Sequence, residues 1–171
     1  RGSGHNAKAQ YSERADDYGN NVDRLAKKFE TARTLVPQPE IQWNSKAKIG
    51  LIAYGTSHFS LEESRDQLRD ENQIETSYYR LRAYPFAESL NEFFDRHDRV
   101  YVVEQNRDGQ MAALMRFEIT PERLAKLRHV LHYNGLPIDA RSITDDVLAQ
   151  EGFEVAKKTA TRMSAGTAGV D

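Results

Sequence analysis

The sequence predicts an α/β domain with a mainly parallel sheet and helices on both of its faces. Three observations carry this. Short apolar runs of strand type recur at "IGLIAY", "IETSYYRLR", "RVYVVE" and "HVLHY". Segments of helical period lie between them. The connections are too long for hairpins and suit helical crossovers, which is the pattern of a parallel sheet.

Taken in order, residues 1–20 are polar and aperiodic and read as an arm or linker. "NVDRLAKKFETARTLV" then sets Val22, Leu25, Ala26, Phe29 and Ala32 at helical spacing, with Asn20 or Asn21 able to cap its start. "VPQPE" stops that helix, because proline cannot continue it and biases the preceding residue towards extended geometry. "EIQW" reads as a short strand. "IGLIAY", ended by Gly55, is a buried strand.

In "SLEESRDQLRDEN", Ser60 and Glu63 match a capping box, and Leu61 and Leu68 share a face. "IETSYYRLR" is the next strand. Pro85 fits the first turn of "FAESLNEFFDRH", whose Phe86, Leu90, Phe93 and Phe94 form an apolar stripe. "RVYVVE" is a strand and "GQMAALMRF" the helix after it. Thr120 and Pro121 suit the N-cap and first positions of "TPERLAKLR". "HVLHY" is closed by Asn134-Gly135, and "SITDDVLAQE" is a last helix, with Ser142 and Asp145 as a second capping box. The domain thus spans residues 21–151, and residues 152–171 read as a mobile tail.

Bulk properties narrow the function. A length of 171 residues suits one ordinary domain with arms. A net charge of −2 offers no basic excess for nucleic acid. The chain has no cysteine, which excludes a cysteine nucleophile, a disulfide framework and any iron–sulfur cluster ligated by this chain. It also fits a reducing cytoplasm. No apolar run approaches the length of a bilayer span, so no membrane partner is expected.

In an open parallel sheet, ligands and partners meet the loops beyond the carboxyl ends of the strands. Those loops are "YGTSHFS", "RAYPF", "EQNRDGQM" and "YNGLP". Two supply the candidate residues: Gly55, Thr56, Ser57 and His58 from the first, and Glu104, Asn106, Arg107, Asp108, Gly109 and Gln110 from the third. Asn106-x-Asp108-Gly109 resembles a fragment of a calcium loop. Its spacing fails, because no glutamate stands six residues beyond Gly109. Glu104 lacks an identifiable partner for proton transfer. Gly109 would let backbone N–H groups approach an anion at the start of a helix. Ser57 and His58 are adjacent, so their side chains point apart, and no G-x-S-x-G elbow surrounds the serine. The histidines lack zinc spacing. No catalytic or metal-ligating residue is assigned. "YGTS" is no dinucleotide fingerprint, which weakens the alternative of a stand-alone small-molecule or nucleotide-binding α/β module.

Read together, "DRLAKKFETAR", "IGLIAYGTSH", "IETSYYRLRAYPF", "DRVYVVEQNRDGQMAALMR" and "LRHVLHYNGLPIDARSIT" resemble the C-terminal part of the alpha subunit of 2-oxoacid:ferredoxin oxidoreductases of the 2-oxoglutarate type. The resemblance runs over roughly residues 1–150 and is most specific at "VYVVEQNRDGQM" and "VLHYNGLP". It implies a three-layer α/β/α fold like the C-terminal domain of transketolase, with a mostly parallel five-stranded sheet and one antiparallel strand, for which "EIQW" is the candidate.

The resemblance also implies a complete enzyme that decarboxylates a 2-oxoacid oxidatively to an acyl-CoA and passes electrons to ferredoxin. Thiamine diphosphate and the iron–sulfur cluster would be held mainly by the beta subunit, and none by this fragment. Residues 1–20 become the arm from a preceding domain of the alpha subunit, which favours "RGSGHN" as native sequence over a vector scar. The expected partners are the beta subunit, that preceding domain, and ferredoxin and CoA for the whole enzyme. The fragment itself is expected to be inactive, its edge loops serving assembly, and apolar surface left bare by the missing domain could drive a homodimer.

Overall fold

A five-stranded sheet in the order β1-β3-β2-β4-β5 organises the chain. The computed structural model describes residues 4–155; residues 1–3 of the arm and 156–171 of the expected tail lie outside the described residues. The strands are β1 (Glu40–Gln42), β2 (Ile49–Tyr54), β3 (Thr76–Leu81), β4 (Arg99–Glu104) and β5 (Leu127–Leu131). Helix α1 (Ala15–Leu35) precedes them. The connections carry α2 (Ser57–Asn72), α3 (Ser89–Asp95), α4 (Gln110–Met115) and α5 (Pro121–Leu124), and α6 (Ala140–Gln150) follows β5. β2 pairs in parallel with β3 and β4, and β4 with β5. β1 runs antiparallel to β3, with Ile41 opposite Tyr79. "EIQW" is therefore the odd strand.

Alternation along the strands divides the core between two faces. Leu51, Ala53, Tyr101 and Val103 pack with Leu61 and Leu68 of α2 and Ile143, Val147 and Leu148 of α6. Ile52, Tyr79, Val100 and Val102 pack with Leu90, Phe93 and Phe94 of α3 and Ala112 and Met115 of α4. Helices thus cover both faces, as the strand–helix alternation requires. Gly50 allows the closest approach: a Cβ there would stand 2.5 Å from Cε1 of the fully buried Phe93.

Several helix starts differ from the sequence reading. α1 begins at Ala15, with Asp16 and Asp17 in its first turn, where acidic side chains complement the helix dipole. The arm folds back on it, with Ser12 Oγ donating to Asp17 and Asn21 Nδ2 donating to the His5 carbonyl. α2 starts at Ser57, so Ser60 is inside the helix and makes no cap. Its hydroxyl instead donates to the Ile138 carbonyl, 2.7 Å away.

Pro85 lies ahead of α3 in the loop and not in its first turn, although Phe86, Leu90, Phe93 and Phe94 are all buried as expected. α6 is capped by Asp139, which accepts from both the backbone N–H and the hydroxyl of Ser142. Ser142 therefore donates to the cap and is not the cap. Thr120 and Pro121 do open α5.

Candidate functional site

The order of the strands reverses between β2 and β4, because the chain passes from β2 outward to β3 and then back to β4 on the other side. Outside the carboxyl ends of such a pair lies the crevice where open α/β sheets receive ligands. The two loops carrying the candidate residues flank it. Here the protein's own side chains occupy that position.

Glu104, the last residue of β4, is completely buried. Its Oε2 accepts from Met111 N–H at 2.7 Å, Asn106 Nδ2 at 2.9 Å and Tyr54 Oη at 3.3 Å. Its Oε1 accepts from Ala112 N–H at 3.0 Å. Asn106 Oδ1 takes Gln110 N–H at 3.2 Å. The first three amides of α4, which no intrahelical carbonyl can satisfy, are thereby filled from within the chain. The anion at this helix start is the Glu104 carboxylate itself, which acts as a cap. Burial, followed by the charge and hydrogen bond of Glu104, pushes the Tyr54 hydroxyl up to about 12, which keeps it a donor.

Gly109 precedes α4 with φ +62°, the left-handed region that glycine enters without penalty. A Cβ there would stand 3.0 Å from His129 Nδ1 on β5. The close approach that Gly109 permits is thus to His129. Nδ1 of that histidine is buried without a hydrogen-bond partner. Burial, and then the charge of Arg116, hold its pKa below the usual histidine value.

Gln105 Nε2 donates to Thr56 Oγ1 and Ser57 Oγ, each at 3.1 Å, and so ties the two candidate loops together across the crevice. Ser57 is buried in the first turn of α2. Its neighbour His58 turns elsewhere: it stacks on Tyr78, its Nδ1 lies 2.9 Å from Tyr78 Oη, and its Nε2 lies 3.3 Å from Glu62. Successive residues on a helix do not face each other, so the two form no nucleophile–base pair. Gly55 closes β2 at φ +57°, with open space where a Cβ would stand.

The outer rim has a different character. Arg107 and Asp108 are exposed and pair with each other at 2.7 Å. Gln110 is exposed beside them. On the same edge stand Phe59 at the start of α2, and Tyr133 and Leu136 after β5, each about two-thirds exposed (69%, 65% and 69%). Sequence reading passed over these three. The signal available was weak: single large apolar residues inside otherwise polar loops.

A recess of about 380 Å³ at the opposite, amino edge of the sheet is bounded by Trp43, Asn44, Ser77, Arg96 and His97. None of the candidate residues lines it. Among the described residues, no group of three or more His, Asp or Glu side chains is placed to hold a metal ion, and no helix is long and apolar enough to cross a membrane.

No family model matches the chain. In sequence it is similar to subunit alpha of 2-oxoacid:ferredoxin oxidoreductase 2 from Aeropyrum pernix, 30% identical over 119 residues. That match covers 66% of this chain and 18% of the subunit. In structure it is similar to 2-oxoglutarate:ferredoxin oxidoreductase from Magnetococcus marinus, solved with 2-oxoglutarate, coenzyme A and succinyl-CoA bound. The TM-score is 0.76 at 18% identity, covering 88% of this chain and 26% of that one. The fold is thus shared with part of a much longer oxidoreductase chain. The alpha chain of a probable 2-oxoacid ferredoxin oxidoreductase from Thermoplasma acidophilum overlaps 67% of this chain at a TM-score of only 0.44.

Proposed function

We propose that this chain is the C-terminal α/β domain of a 2-oxoacid:ferredoxin oxidoreductase alpha subunit, and that its carboxyl edge is an assembly surface. The similarity to the Aeropyrum pernix subunit supports the first part. One observation carries the second: the Glu104 carboxylate is buried and spent on the chain's own donors, while large apolar side chains and an ion pair stand outward. Glu104 caps α4 and Gln105 bridges the crevice, whereas Phe59, Tyr133, Leu136, Arg107 and Asp108 face solvent. Exposed aromatics, aliphatics and arginine at a rigid sheet edge are what protein contacts use.

On this reading residues 1–20 lead from a preceding domain, and the domain works in the cytoplasm beside a beta subunit. The complete enzyme would convert a 2-oxoacid, 2-oxoglutarate by the neighbour's example, to an acyl-CoA with electrons passing to ferredoxin. Thiamine diphosphate would supply the decarboxylation chemistry from outside this chain. Any cluster with thiolate ligands must also be held elsewhere, since the chain has no cysteine.

The test is made on the full alpha subunit co-expressed with its beta subunit. Arg107→Ala/Asp108→Ala, combined with Leu136→Asp, is expected to weaken assembly at least tenfold by size-exclusion chromatography and to lower oxoacid-dependent ferredoxin reduction with it. An intact heteromer with an unchanged rate would sink the assembly role. The 171-residue chain alone is expected to show no thiamine-dependent decarboxylation above background.

A further inference from the structure

Helix α1 is not held to the sheet domain by apolar packing. It has no buried residue, and its apolar seam of Tyr18, Val22, Leu25 and Phe29 is exposed. Towards its start, Asp17 and Asn21 bond the arm, at Ser12 and at the His5 carbonyl. A helix with so few buried contacts is free to swing unless a polar contact fixes it.

Arg33, in the last turn, supplies that contact. Its Nη1 donates to the Phe86 carbonyl and to Glu118 Oε2, the latter at 2.7 Å. Among the described residues, these are the hydrogen bonds that join α1 to the sheet domain. The two acceptors come from separate connections, Phe86 from the loop after β3 and Glu118 from the turn after α4. Both are fixed in place. Phe86 is fully buried, and the Tyr84 ring packs edge-on against it at 5.1 Å. The Tyr84 hydroxyl bonds Glu118, which raises its pKa and keeps it a donor. The Arg33 and Glu118 side chains are 19% and 18% exposed, so salt screens their attraction less than that of a surface pair.

The connector makes one such contact sufficient. In "VPQPE", Pro37 and Pro39 each lock one backbone torsion. Gln38 Nε2 donates to the Arg33 and Val36 carbonyls, at 3.1 and 2.9 Å, and ties the connector to the helix end. Few torsions are left free, and a guanidinium bridging two loops can hold them.

We infer that Arg33 is a latch that sets the angle of α1 to the sheet domain, with the Phe86 carbonyl and Glu118 as its socket. Released, α1 pivots about residues 36–39. Through Phe86 the latch also reaches "RAYPF", one of the carboxyl-edge loops, so one side chain places both the lead-in helix and that loop. Where residues 1–20 lead from a preceding domain, as proposed above, the latch fixes how that domain approaches the edge. The latch itself needs only this chain, so its test does not depend on that reading.

The distance between two spin labels on the 171-residue chain tests it. The chain has no cysteine, so Asp23→Cys on α1 and Ala149→Cys on α6 give unique labels at exposed positions. Asp23 lies about 15 Å along the helix from Arg33, so a swing of about 20° moves it by roughly 5 Å. The labelled chain with the latch intact should give one narrow distance. Arg33→Ala should widen the distribution at least twofold. Glu118→Gln weakens one half of the socket but keeps the Phe86 bond, and its width should fall between the two. Alanine is a good helix former and Glu118 lies outside the helices, so circular dichroism should show helix content retained in both. A broad distribution with the latch intact would overturn the inference. So would an Arg33→Ala distribution as narrow as the intact one.

Discussion

At the end of β4 the chain places a fully buried carboxylate against the start of a helix and gives each oxygen its donors. Along α1 it does the reverse, leaving Tyr18 and Phe29 more than half exposed on a helix without one buried residue. The two regions differ in where their interactions are completed. Glu104, Asn106, Tyr54 and the α4 amides form a closed set of hydrogen bonds within one domain. The apolar face of α1 is completed by nothing among the described residues. Closed polar sets hold a fold together, and half-finished apolar faces show where another surface is required.

The largest expected effect comes from opening the closed set. Glu104→Ala takes the acceptor from two main-chain N–H groups, the Asn106 amide and the Tyr54 hydroxyl, and leaves the Ala112 N–H buried without a partner. Unpaired buried donors are expensive, so urea denaturation should show a loss of roughly 3–5 kcal/mol. Glu104→Gln keeps the shape but replaces one acceptor oxygen with a donor, so a smaller loss is expected. If Glu104→Ala unfolds with the midpoint of the natural chain, the cap is not holding the edge.

Gly109→Ala ranks next. It adds the left-handed penalty of about 1–2 kcal/mol to a Cβ that meets the His129 ring at 3.0 Å. Thermal melts should show the loss. In the double variant with His129→Ala, the steric part should be relieved while the backbone part remains.

These residues show what a sequence can and cannot disclose. β2 and β4 are readable because buried strands are unbroken apolar runs, as at Leu51–Ile52–Ala53 and Val100–Tyr101–Val102, whereas β5 begins two residues before the expected "HVLHY" because Leu127 and Arg128 pair with β4. Thr120-Pro121 is readable because both act on their own helix. Ser60 matched a capping box and failed, because a buried Ser57 had already begun the helix and the Ser60 hydroxyl found Ile138 across the fold. The Asp139 cap displaced Ser142 by three residues for a similar local reason.

Glu104 was visible as an acid at a strand end. Its role was not, because the amides it caps lie seven and eight residues onward and approach only when the loop folds back. The seam of α1 was legible as periodicity. That it stays uncovered is a property of the tertiary structure alone.

A subtler effect should follow from pH. His129 has its pKa held below the ordinary value, chiefly by burial, and His97 is lowered by burial too. For a histidine depressed in the folded state, the stability it contributes is present above its unfolded pKa of about 6.5. It is lost as pH falls through the lower folded value, because the unfolded chain takes up the proton first. Unfolding free energy should therefore decline on acidification below about 6.5. His129→Leu should make that decline shallower. An unchanged slope would mean that His129 carries none of it.

The smallest expected change in stability sharpens the comparison most. Leu25 stands on an uncovered face, so Leu25→Glu removes no core contact within one copy. Its unfolding free energy in urea should stay within about 0.5 kcal/mol of the natural chain. Glu104→Ala, by contrast, breaks an interaction that is complete within the domain and should lose several times as much. A loss at Leu25→Glu as large as that at Glu104→Ala would show that the α1 face is covered within one copy, and that the two regions do not differ in where their interactions are completed.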